Sequence, residues 1–335
     1  MVDPSRSSAK PDDADTRPLD AVKVLLTGAS GFVGRHILRH LLDSGTDVLT
    51  MSRSEGELSP GVEHVQVRHW SEDALRTALR DRRWNAVINA AAYGVRPHDR
   101  TAEDAALVNA TGAGTIALLA RERDAQAFVQ VGTCSEYDAV NATGSPLEVD
   151  RTPPETMRLY GATKAAGMAL TRSICASGDV AFRGLRLFNV YGPGEPAHRL
   201  LPSLIRHLTS DAGGAVPLSA GTQLRDFVHV DDTARAVVAA LVHAADTGGD
   251  RLANVASGQG TSVREFAQTA ALAIGAPDDR LEFGAIPMRP DDVAVMVGST
   301  SGSEKAFGPI ELRPPSQGVI DAVVEMTNSA AKEDR

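Results

Sequence analysis

The sequence predicts an α/β fold in which a doubly wound parallel sheet is joined by a smaller C-terminal α/β lobe. Three observations predict it. From residue 21 onward, short apolar runs alternate with longer amphipathic ones, a pattern typical of parallel strands joined by crossover helices. A glycine-rich turn directly follows the first apolar run. The length of 335 residues, 42% of them hydrophobic, suits one large α/β unit or two modest domains.

The predicted strands and helices follow one another in a regular order. In the first helix Ile37, Leu38, Leu41 and Leu42 form one apolar stripe, and Gly45 stands where a left-handed C-terminal cap is expected. This helix should therefore pack on a sheet. Strands are predicted, in chain order, in VKVLLTG, DVLTMSR, VQVRHW, WNAVINAAAY, AFVQVGTC, VAFRGLRLFNVYG and RDFVHV, and the last is followed by a helix over 231–243.

The last third of the chain has a different pattern. Ser262, with Glu265 three residues later, forms a capping box that begins a helix, and the helix ends near Gly275 before the strand-like RLEFGAIP. A second piece, rich in glycine, proline and serine, contains the amphipathic stretch LLPSLIRHL. The predicted domains are a flexible tail (1–20), a dinucleotide-binding Rossmann domain (21–190, with 225–256 returning to it) and a substrate-binding lobe (191–330, mainly 191–224 and 257–326).

Composition excludes several classes of protein. Lysine and arginine number 34 against 43 acids, a net charge of −9 that argues against a nucleic-acid partner. Two cysteines are too few for a disulfide framework or a cysteine-based metal site, so we expect reduced thiols and a cytoplasmic protein. No apolar run approaches the roughly 20 residues of a membrane span, so no membrane partner is expected. His36 and His40 are four residues apart, but without a third ligand we expect solvated side chains and no metal.

The glycine-rich turn TGASGFVG (27–34) predicts a dinucleotide site. It follows a predicted strand and opens a helix, the context that makes a glycine pattern a dinucleotide-binding fingerprint. The first glycine permits the tight turn, the second lets the backbone approach a pyrophosphate, and the third lets the helix lie close to the strand, while N–H groups at the helix N-terminus bind the anion. The predicted cofactor-binding residues of this turn are Gly28, Ser30, Gly31, Phe32, Val33 and Gly34.

The end of the second strand bears on which dinucleotide is used. A free ribose 2′-hydroxyl is usually met there by a carboxylate, whereas this chain has Ser52 and Arg53. A guanidinium would pair with a 2′-phosphate, and Arg35 could add a second one. These residues favour NADP(H) as the cofactor, with NAD(H) possible, although either arginine could instead be a solvated surface residue.

Tyr160 and Lys164 are candidate catalytic residues. They lie four apart in the helical run YGATKAAGMALTRSICAS, so both fall on one face. A nearby ammonium should lower the pKa of the phenol towards the working range of an acid or base. By spacing alone this is weak evidence, and a structural pairing of the two side chains is the favoured interpretation.

Six motifs, taken in their order along the chain, favour the catalytic interpretation of Tyr160 and Lys164. They are TGASGFVG, NAAAY (89–93), VGTCSEY (131–137), YGATK (160–164), RLFNVYGPG (186–194) and RDFVHVDD (225–232). In order and spacing they resemble the extended short-chain dehydrogenases/reductases, from about residue 22 to residue 324, and especially the members that reduce, epimerise or dehydrate nucleotide-linked sugars.

The resemblance implies roles for residues of this chain. Tyr160 would be the acid/base, Lys164 would hold the nicotinamide ribose and lower the pKa of the tyrosine, and Thr133 would bond the substrate oxygen. The NAAAY segment, with Ala90, Ala91 and Ala92, would lie against the cofactor. The substrate-binding residues would be Cys134, Ser135, Asn189, Arg225 and Arg289, of which the two arginines would hold a diphosphate. The resemblance also implies a homodimer through helices near 101–122 and 158–177.

One departure from the family pattern narrows the reaction. The 4,6-dehydratases of this family have an Asp-Glu pair directly after the catalytic threonine, where this chain has Cys134 and Ser135. We therefore expect NADPH-dependent reduction of a keto group on a nucleoside-diphosphate-linked sugar, a 4-keto-6-deoxy sugar, with a nucleotide-sugar C4 epimerase that retains NAD as the alternative. A reductase of other ketones and a catalytically silent dinucleotide-binding protein are further possibilities.

Overall fold

The computed structural model describes residues 22–53, 55, 58–95, 99, 101–137, 146–154, 156–210, 214–289 and 292–333. The predicted tail over 1–20 lies outside them. The strands are β1 (Lys23–Thr27), β2 (Asp47–Ser52), β3 (Glu63–Gln66), β4 (Ala86–Asn89), β5 (Ala127–Thr133), β6 (Ala181–Leu187), β7 (Asn189–Tyr191), β8 (Val216–Leu218), β9 (Leu224–Arg225), β10 (Phe227–His229), β11 (Asp250–Val255), β12 (Thr261–Ser262), β13 (Leu281–Phe283) and β14 (Val295–Met296).

The helices alternate with these strands. They are α1 (Phe32–Asp43), α2 (Glu72–Leu79), α3 (Ala102–Ala106), α4 (Ala113–Glu122), α5 (Leu159–Ala176), α6 (Leu200–Leu208), α7 (Val230–Thr247), α8 (Val263–Ile274), α9 (Ser303–Phe307) and α10 (Pro315–Glu333). A π-helical segment, Leu107–Gly112, joins α3 to α4, and a single 3-10 turn, Cys134–Glu136, follows β5.

Within the described residues the main sheet has seven strands in the order β3-β2-β1-β4-β5-β6-β11, and every neighbouring pair is parallel. This confirms the predicted Rossmann-like, doubly wound α/β sheet. The order reverses between β1 and β4, and in such sheets the crevice outside the carboxyl ends of the two strands is where ligands bind. The fold therefore places its candidate site at the ends of β1, β4 and β5.

Helices cover both faces of the sheet. The predicted apolar stripe of α1 is buried against the sheet together with α7, and Ile37 and Leu41 are fully buried. A second hydrophobic cluster lies on the opposite face and includes residues of α2, α4 and α5. The prediction that the first helix packs on a sheet is confirmed, and Gly45 has the predicted positive φ of 75° just after it.

A third hydrophobic cluster lies apart from the sheet and combines α6, α8 and α10 with β8 and β13. The predicted helix of this region is confirmed by its caps. The Ser262 hydroxyl accepts a hydrogen bond from the Glu265 N–H at 3.0 Å, and Gly275 ends α8 in the left-handed conformation.

The structure corrects one strand assignment. RDFVHV was predicted to extend the main pattern of strands, but its central part, β10, pairs with β7 outside the main sheet. The predicted strand VAFRGLRLFNVYG is divided because the backbone changes partner: Phe188 N–H donates to Val255 in β11, and Asn189 N–H donates to Asp226. The seventh strand of the sheet is β11, which has no counterpart among the predicted strands.

The predicted solvation of His36 is also wrong. This side chain is buried, and its Nε2 lies 2.8 Å from the carbonyl oxygen of Pro193, because the loop after β7 lies across α1. His40 is partly buried and lies 2.8 Å from Asp231 at the start of α7. Among the described residues there is no cluster of three or more potential metal ligands, and none of the described helices is long and apolar enough to cross a membrane.

Candidate active site

The predicted catalytic residues converge at the carboxyl edge of the sheet. Thr133 is the last residue of β5, and Tyr160 and Lys164 lie in the first turns of α5, which packs on β5. The Lys164 side chain is buried and its Nζ donates hydrogen bonds to the carbonyl oxygens of Val131 at 2.6 Å and Ala91 at 3.4 Å. Lys164 thereby connects the end of β5 to the segment that follows β4.

Two glycines allow these elements to approach. A Cβ on Gly161, directly after Tyr160, would lie only 1.9 Å from the carbonyl oxygen of Ser135. A Cβ on Gly94 would lie 3.2 Å from the Tyr160 ring, and Gly94 has a φ of 100°. The start of α5 is therefore in contact with the segments after β4 and β5 at positions where a side chain would force them apart.

Burial dominates the electrostatics of the site. It raises the pKa of Tyr160, and neither the hydrogen bond with Thr133 nor the positive charge of Arg199 offsets that rise. Burial likewise lowers the pKa of Lys164 to about 8. The sequence led us to expect a lowered tyrosine pKa; in the described protein, desolvation disfavours the charged phenolate and outweighs the two groups that lower this pKa.

The glycine turn fits a dinucleotide. Gly28 has a φ of 69°, and a Cβ there would lie 2.6 Å from the Ala90 carbonyl oxygen. A Cβ on Gly34 would lie 2.0 Å from the Gly28 carbonyl oxygen, so α1 begins in close contact with the turn. Gly31 is the N-cap of α1, and the first turn of that helix contains no acidic residue. The backbone cradle and the helix N-terminus thus suit an anion such as a pyrophosphate. The neighbouring Ser30, Phe32, Val33 and Ala92 are partly buried.

The end of β2 presents the predicted Ser52 and Arg53 at this same edge of the sheet. Ser52 is buried, with its hydroxyl 3.5 Å from His64 Nε2. Arg53 is exposed, and its guanidinium carbon lies 5.7 Å from the centre of the Tyr93 ring. A solvent-accessible positive charge therefore stands where the ribose of a bound dinucleotide is expected.

The predicted substrate residues are only partly brought together. Cys134 is buried in the turn after Thr133, where burial raises its pKa to about 12, and Arg225 is near enough to oppose that rise. Arg225 donates to the carbonyl oxygens of Leu224 and Val293, both at 2.7 Å, and pairs with Asp292. The amide of Asn189 donates to the Asp226 carbonyl oxygen at 3.2 Å. Arg289 is exposed beside the undescribed positions 290–291 and has no described contact with the other predicted substrate residues.

Sequence reasoning missed several polar residues of the site. Glu136, fully buried, accepts from the Thr133 N–H at 2.9 Å and pairs with Arg186 at 2.8 Å. Asp226, also fully buried, accepts hydrogen bonds from N–H groups of the loops after β11 and β14. The T-x-x-E spacing of VGTCSEY was a capping-box signal for Glu136. For Asp226 the partners lie far along the chain, so spacing offered no signal.

A second missed pair stands near Tyr160. Glu195 lies in the loop between β7 and α6, and its carboxylate lies 3.2 Å from Arg199 Nε. The Glu195 side chain is only 4% exposed, and this burial raises its pKa to about 7. Arg199 is the charged partner that lowers the pKa of Tyr160.

Comparisons with known proteins agree with this geometry. Residues 24–256 match the model of the NAD dependent epimerase/dehydratase family. The chain is 32% identical over 272 residues to a dTDP-6-deoxy-L-talose 4-dehydrogenase (NAD(P)(+)) of Kitasatospora kifunensis, covering 78% of this chain and 82% of that protein. It is 27% identical over 328 residues to a UDP-glucose 4-epimerase of Azospirillum brasilense, covering 92% of each. A Thermus thermophilus UDP-glucose 4-epimerase solved in complex with NAD superposes with a TM-score of 0.76 at 25% identity, covering 91% of this chain and 99% of the other.

Proposed function

The chain belongs to the NAD dependent epimerase/dehydratase family, and we propose that it modifies nucleotide-linked sugars as an NADPH-dependent ketoreductase. Its substrate is a sugar that is linked to a nucleoside diphosphate and carries a keto group. Within this class we propose a 4-keto-6-deoxy sugar. The 32% identity to a dTDP-6-deoxy-L-talose 4-dehydrogenase supports this substrate class.

One observation carries the role of Tyr160 as a proton donor: its partly buried phenol keeps its proton. Because burial raises its pKa, Tyr160 is protonated near neutral pH, which is the form that a general acid needs. Tyr160 gives that proton to the carbonyl oxygen of the sugar, and the Thr133 hydroxyl stabilises the same oxygen by a hydrogen bond. The chemistry that a bound dinucleotide supplies is hydride transfer to the carbonyl carbon. Tyr160 then regains a proton from solvent.

The cradle described above would hold the dinucleotide. Gly28, Gly31 and Gly34 with the N-terminus of α1 would bind the pyrophosphate, and Ala90 to Ala92 would line the adjoining edge. Lys164, the family's ribose-binding residue, already lies at that edge through its hydrogen bond to Ala91. The exposed guanidinium of Arg53 supports a preference for a 2′-phosphate, and hence for NADP(H).

The residues after Thr133 support reduction over dehydration. Cys134 takes the place of an acidic residue and, with its pKa raised to about 12, stays a neutral thiol. Ser135 donates its N–H to the Thr133 hydroxyl at 3.2 Å and carries no carboxylate. Elimination of water needs acid and base groups at neighbouring carbons, and neither residue supplies one. On the substrate side, Asn189, Arg225 and Arg289 are proposed to hold the sugar nucleotide, with the arginines on its diphosphate.

A test mixes the protein with NADPH and a panel of nucleotide-linked 4-keto-6-deoxy sugars and follows absorbance at about 340 nm, with NADH as the comparison. We expect NADPH consumption with at least one sugar, and a Tyr160→Phe variant slower by a factor of about 10² or more. Tyr191→Phe is the matched control, since Tyr191 belongs to the third hydrophobic cluster and its hydroxyl donates to the Pro315 carbonyl oxygen at 3.4 Å. Absence of consumption with every sugar would contradict the proposal.

An Arg53→Ala variant tests the cofactor preference separately. Loss of a charge-assisted contact to the 2′-phosphate should raise the KM for NADPH about tenfold and leave that for NADH nearly unchanged. Equal changes for the two cofactors would show that Arg53 does not recognise the phosphate.

A nucleotide-sugar C4 epimerase that retains NAD is the second candidate. It is favoured by the 27% identity to a UDP-glucose 4-epimerase over 92% of both chains. Such an enzyme regenerates its cofactor in every cycle, so NAD should remain bound through gel filtration and UDP-linked hexoses should interconvert without net absorbance change. The ketoreductase should instead release its cofactor.

We also propose a homodimer and a two-lobed organisation. The consecutive helical segments α3, Leu107–Gly112 and α4 pack along α5, and Leu170 of α5 is 41% exposed. This exposed apolar side chain supports these helices as the contact between subunits. The separate third hydrophobic cluster supports a substrate-binding lobe drawn mainly from 191–224 and 257–326. Sedimentation equilibrium measures the subunit number, and a Leu170→Asp variant should be monomeric.

A further inference from the structure

A buried ion pair lies beneath the predicted catalytic residues. The Glu136 side chain is fully buried, and its Oε2 accepts a hydrogen bond from Arg186 Nε at 2.8 Å, with Arg186 itself 4% exposed. Removing two charges from water costs about as much as their attraction returns, so a buried pair is a weak source of stability. Its contacts show what else it does.

Glu136 holds the backbone of Thr133. Its Oε1 accepts the Thr133 N–H at 2.9 Å, while the Thr133 hydroxyl accepts the Ser135 N–H at 3.2 Å, so the two residues close a capping box around the turn. Gly132 makes room for this contact, since a Cβ there would lie 2.3 Å from Glu136 Oε1. The orientation of the Thr133 side chain is therefore set by a carboxylate that does not itself reach the crevice.

The arginine of the pair is held from the other side. Its guanidinium carbon lies 4.5 Å from the centre of the Tyr137 ring, and the Tyr137 hydroxyl donates to Asn254 Oδ1 at 2.6 Å. Asn254 in turn donates to the carbonyl oxygens of Leu147 at 2.8 Å and Ser299 at 3.1 Å. The ion pair is thus anchored to β11 and to the segment after β14.

The charge of Glu136 also acts on the catalytic groups. Its negative charge adds to the rise in the pKa of Tyr160 and of Cys134, and it opposes the fall that burial causes in the pKa of Lys164. Among the described residues, Tyr160 faces three charged or titratable groups, which are Glu136 and Cys134 from the turn and Arg199 from the start of α6. Glu136 in turn faces Arg186, Tyr137, Cys134, Tyr160 and Lys164.

We propose that Glu136 is a positioning residue for the reaction: paired with Arg186, its carboxylate holds the Thr133 backbone so that the hydroxyl can bond the substrate oxygen, and it places a negative charge near Tyr160. This inference rests on the proposed function for its catalytic meaning. The titration that tests it needs no sugar substrate.

The test is a tyrosinate titration. The chain has only four tyrosines, so the ultraviolet difference between the protein and its Tyr160→Phe variant reports Tyr160 alone, measured with NADP+ present to favour the phenolate. The same difference is then measured for the Glu136→Gln variant, with and without Tyr160→Phe. Glu136→Gln keeps an acceptor for the Thr133 N–H but removes the charge. We expect the apparent pKa of Tyr160 to fall by about one unit, and the pH profile of kcat to move the same way.

Two further variants keep the test decisive. Glu136→Gln combined with Arg186→Gln leaves no unpaired buried charge, and it should show a smaller shift in the same direction even if the single variant does not fold. Asp232→Asn is the matched control, because Asp232 is another buried carboxylate paired with an arginine, Arg313, at 2.9 Å; it should leave the Tyr160 titration unchanged.

The positioning role has its own readout. Glu136→Ala also removes the acceptor for the Thr133 N–H, so kcat should fall about tenfold further than in Glu136→Gln while the KM for NADPH stays nearly constant. An unshifted Tyr160 titration in every Glu136 variant would overturn the inference even if sugars are reduced normally. A shifted titration without turnover of any sugar would support it and refute the proposed function instead.

Discussion

Replacing Lys164 with methionine should change how stability depends on pH. The Lys164 ammonium is buried, and this lowers its pKa from 10.5 to about 8 in the native protein. The difference corresponds to about 3 kcal/mol at about 1.4 kcal/mol for each factor of ten. Methionine keeps the apolar stem without the charge, so the variant avoids this cost and loses only the hydrogen bonds to Val131 and Ala91.

Whether stability rises or falls with pH depends on which state, native or unfolded, binds the Lys164 proton more strongly. Between about pH 8 and 10.5 the unfolded chain binds the lysine proton more than the native protein does, so the stability of the natural protein rises with pH in that window. Below about pH 8 both states bind it and the full cost applies. Relative to Lys164→Met, the natural protein should therefore gain about 3 kcal/mol in its free energy of unfolding between about pH 7 and pH 10.5.

Urea unfolding at several pH values measures this difference, because other titrating groups cancel between the two proteins. Lys23→Met is the matched control. The Lys23 ammonium is hydrogen-bonded to Glu63 at 2.7 Å, which raises its pKa, so its contribution to stability is fully present below 10.5 and should be constant across the window. The reasoning is refuted if the difference between the natural protein and Lys164→Met does not vary with pH.

Three other predictions follow from local packing. Gly161→Ala should lower the free energy of unfolding by about 3 kcal/mol, since its Cβ would meet the Ser135 carbonyl oxygen. Gly214→Ala is the control, because the space around Gly214 is open, and it should change the free energy of unfolding by less than about 0.5 kcal/mol. Thermal melts compare the two variants. Arg183→Met should cost about 3 kcal/mol in chemical unfolding, because the buried guanidinium donates to five carbonyl oxygens and one hydroxyl; unchanged stability would contradict this. Burial raises the pKa of both cysteine thiols to about 12, so iodoacetamide should label them only after unfolding, as mass spectrometry would show.

The parts of the site that were predictable are those with local signals. The glycine turn was recognisable because Gly28 and Gly34 act through positive φ and close backbone contact, which depend on a few neighbouring residues. Tyr160 and Lys164 became candidates only because their segment, YGATK, is one of six motifs in the family's order; their spacing of four residues, which puts both on one helix face, was weak evidence by itself. Their pKa values were not, since the desolvation that raises the one and lowers the other comes from β5 and from the segment after β4, far along the chain.

Arg225 illustrates how a residue type can be predicted while its environment is not. The family resemblance implied that Arg225 holds a diphosphate; in the structure the same guanidinium pairs with Asp292, 67 residues away, and donates to two carbonyl oxygens. RDFVHV has the alternation of a strand, yet which strand it joins depends on the fully buried Asp226 and its partners in two distant loops.

The sequence by itself determined the doubly wound sheet, the dinucleotide turn and the spacing of Tyr160 and Lys164, because hydrophobic periodicity and glycine geometry act over a few residues. Only the tertiary structure decided that Glu136 and Arg186 meet beneath Thr133 and that Lys164 is buried against two carbonyl oxygens. Burial and charge pairing depend on which distant segments pack together, and no local pattern records that choice.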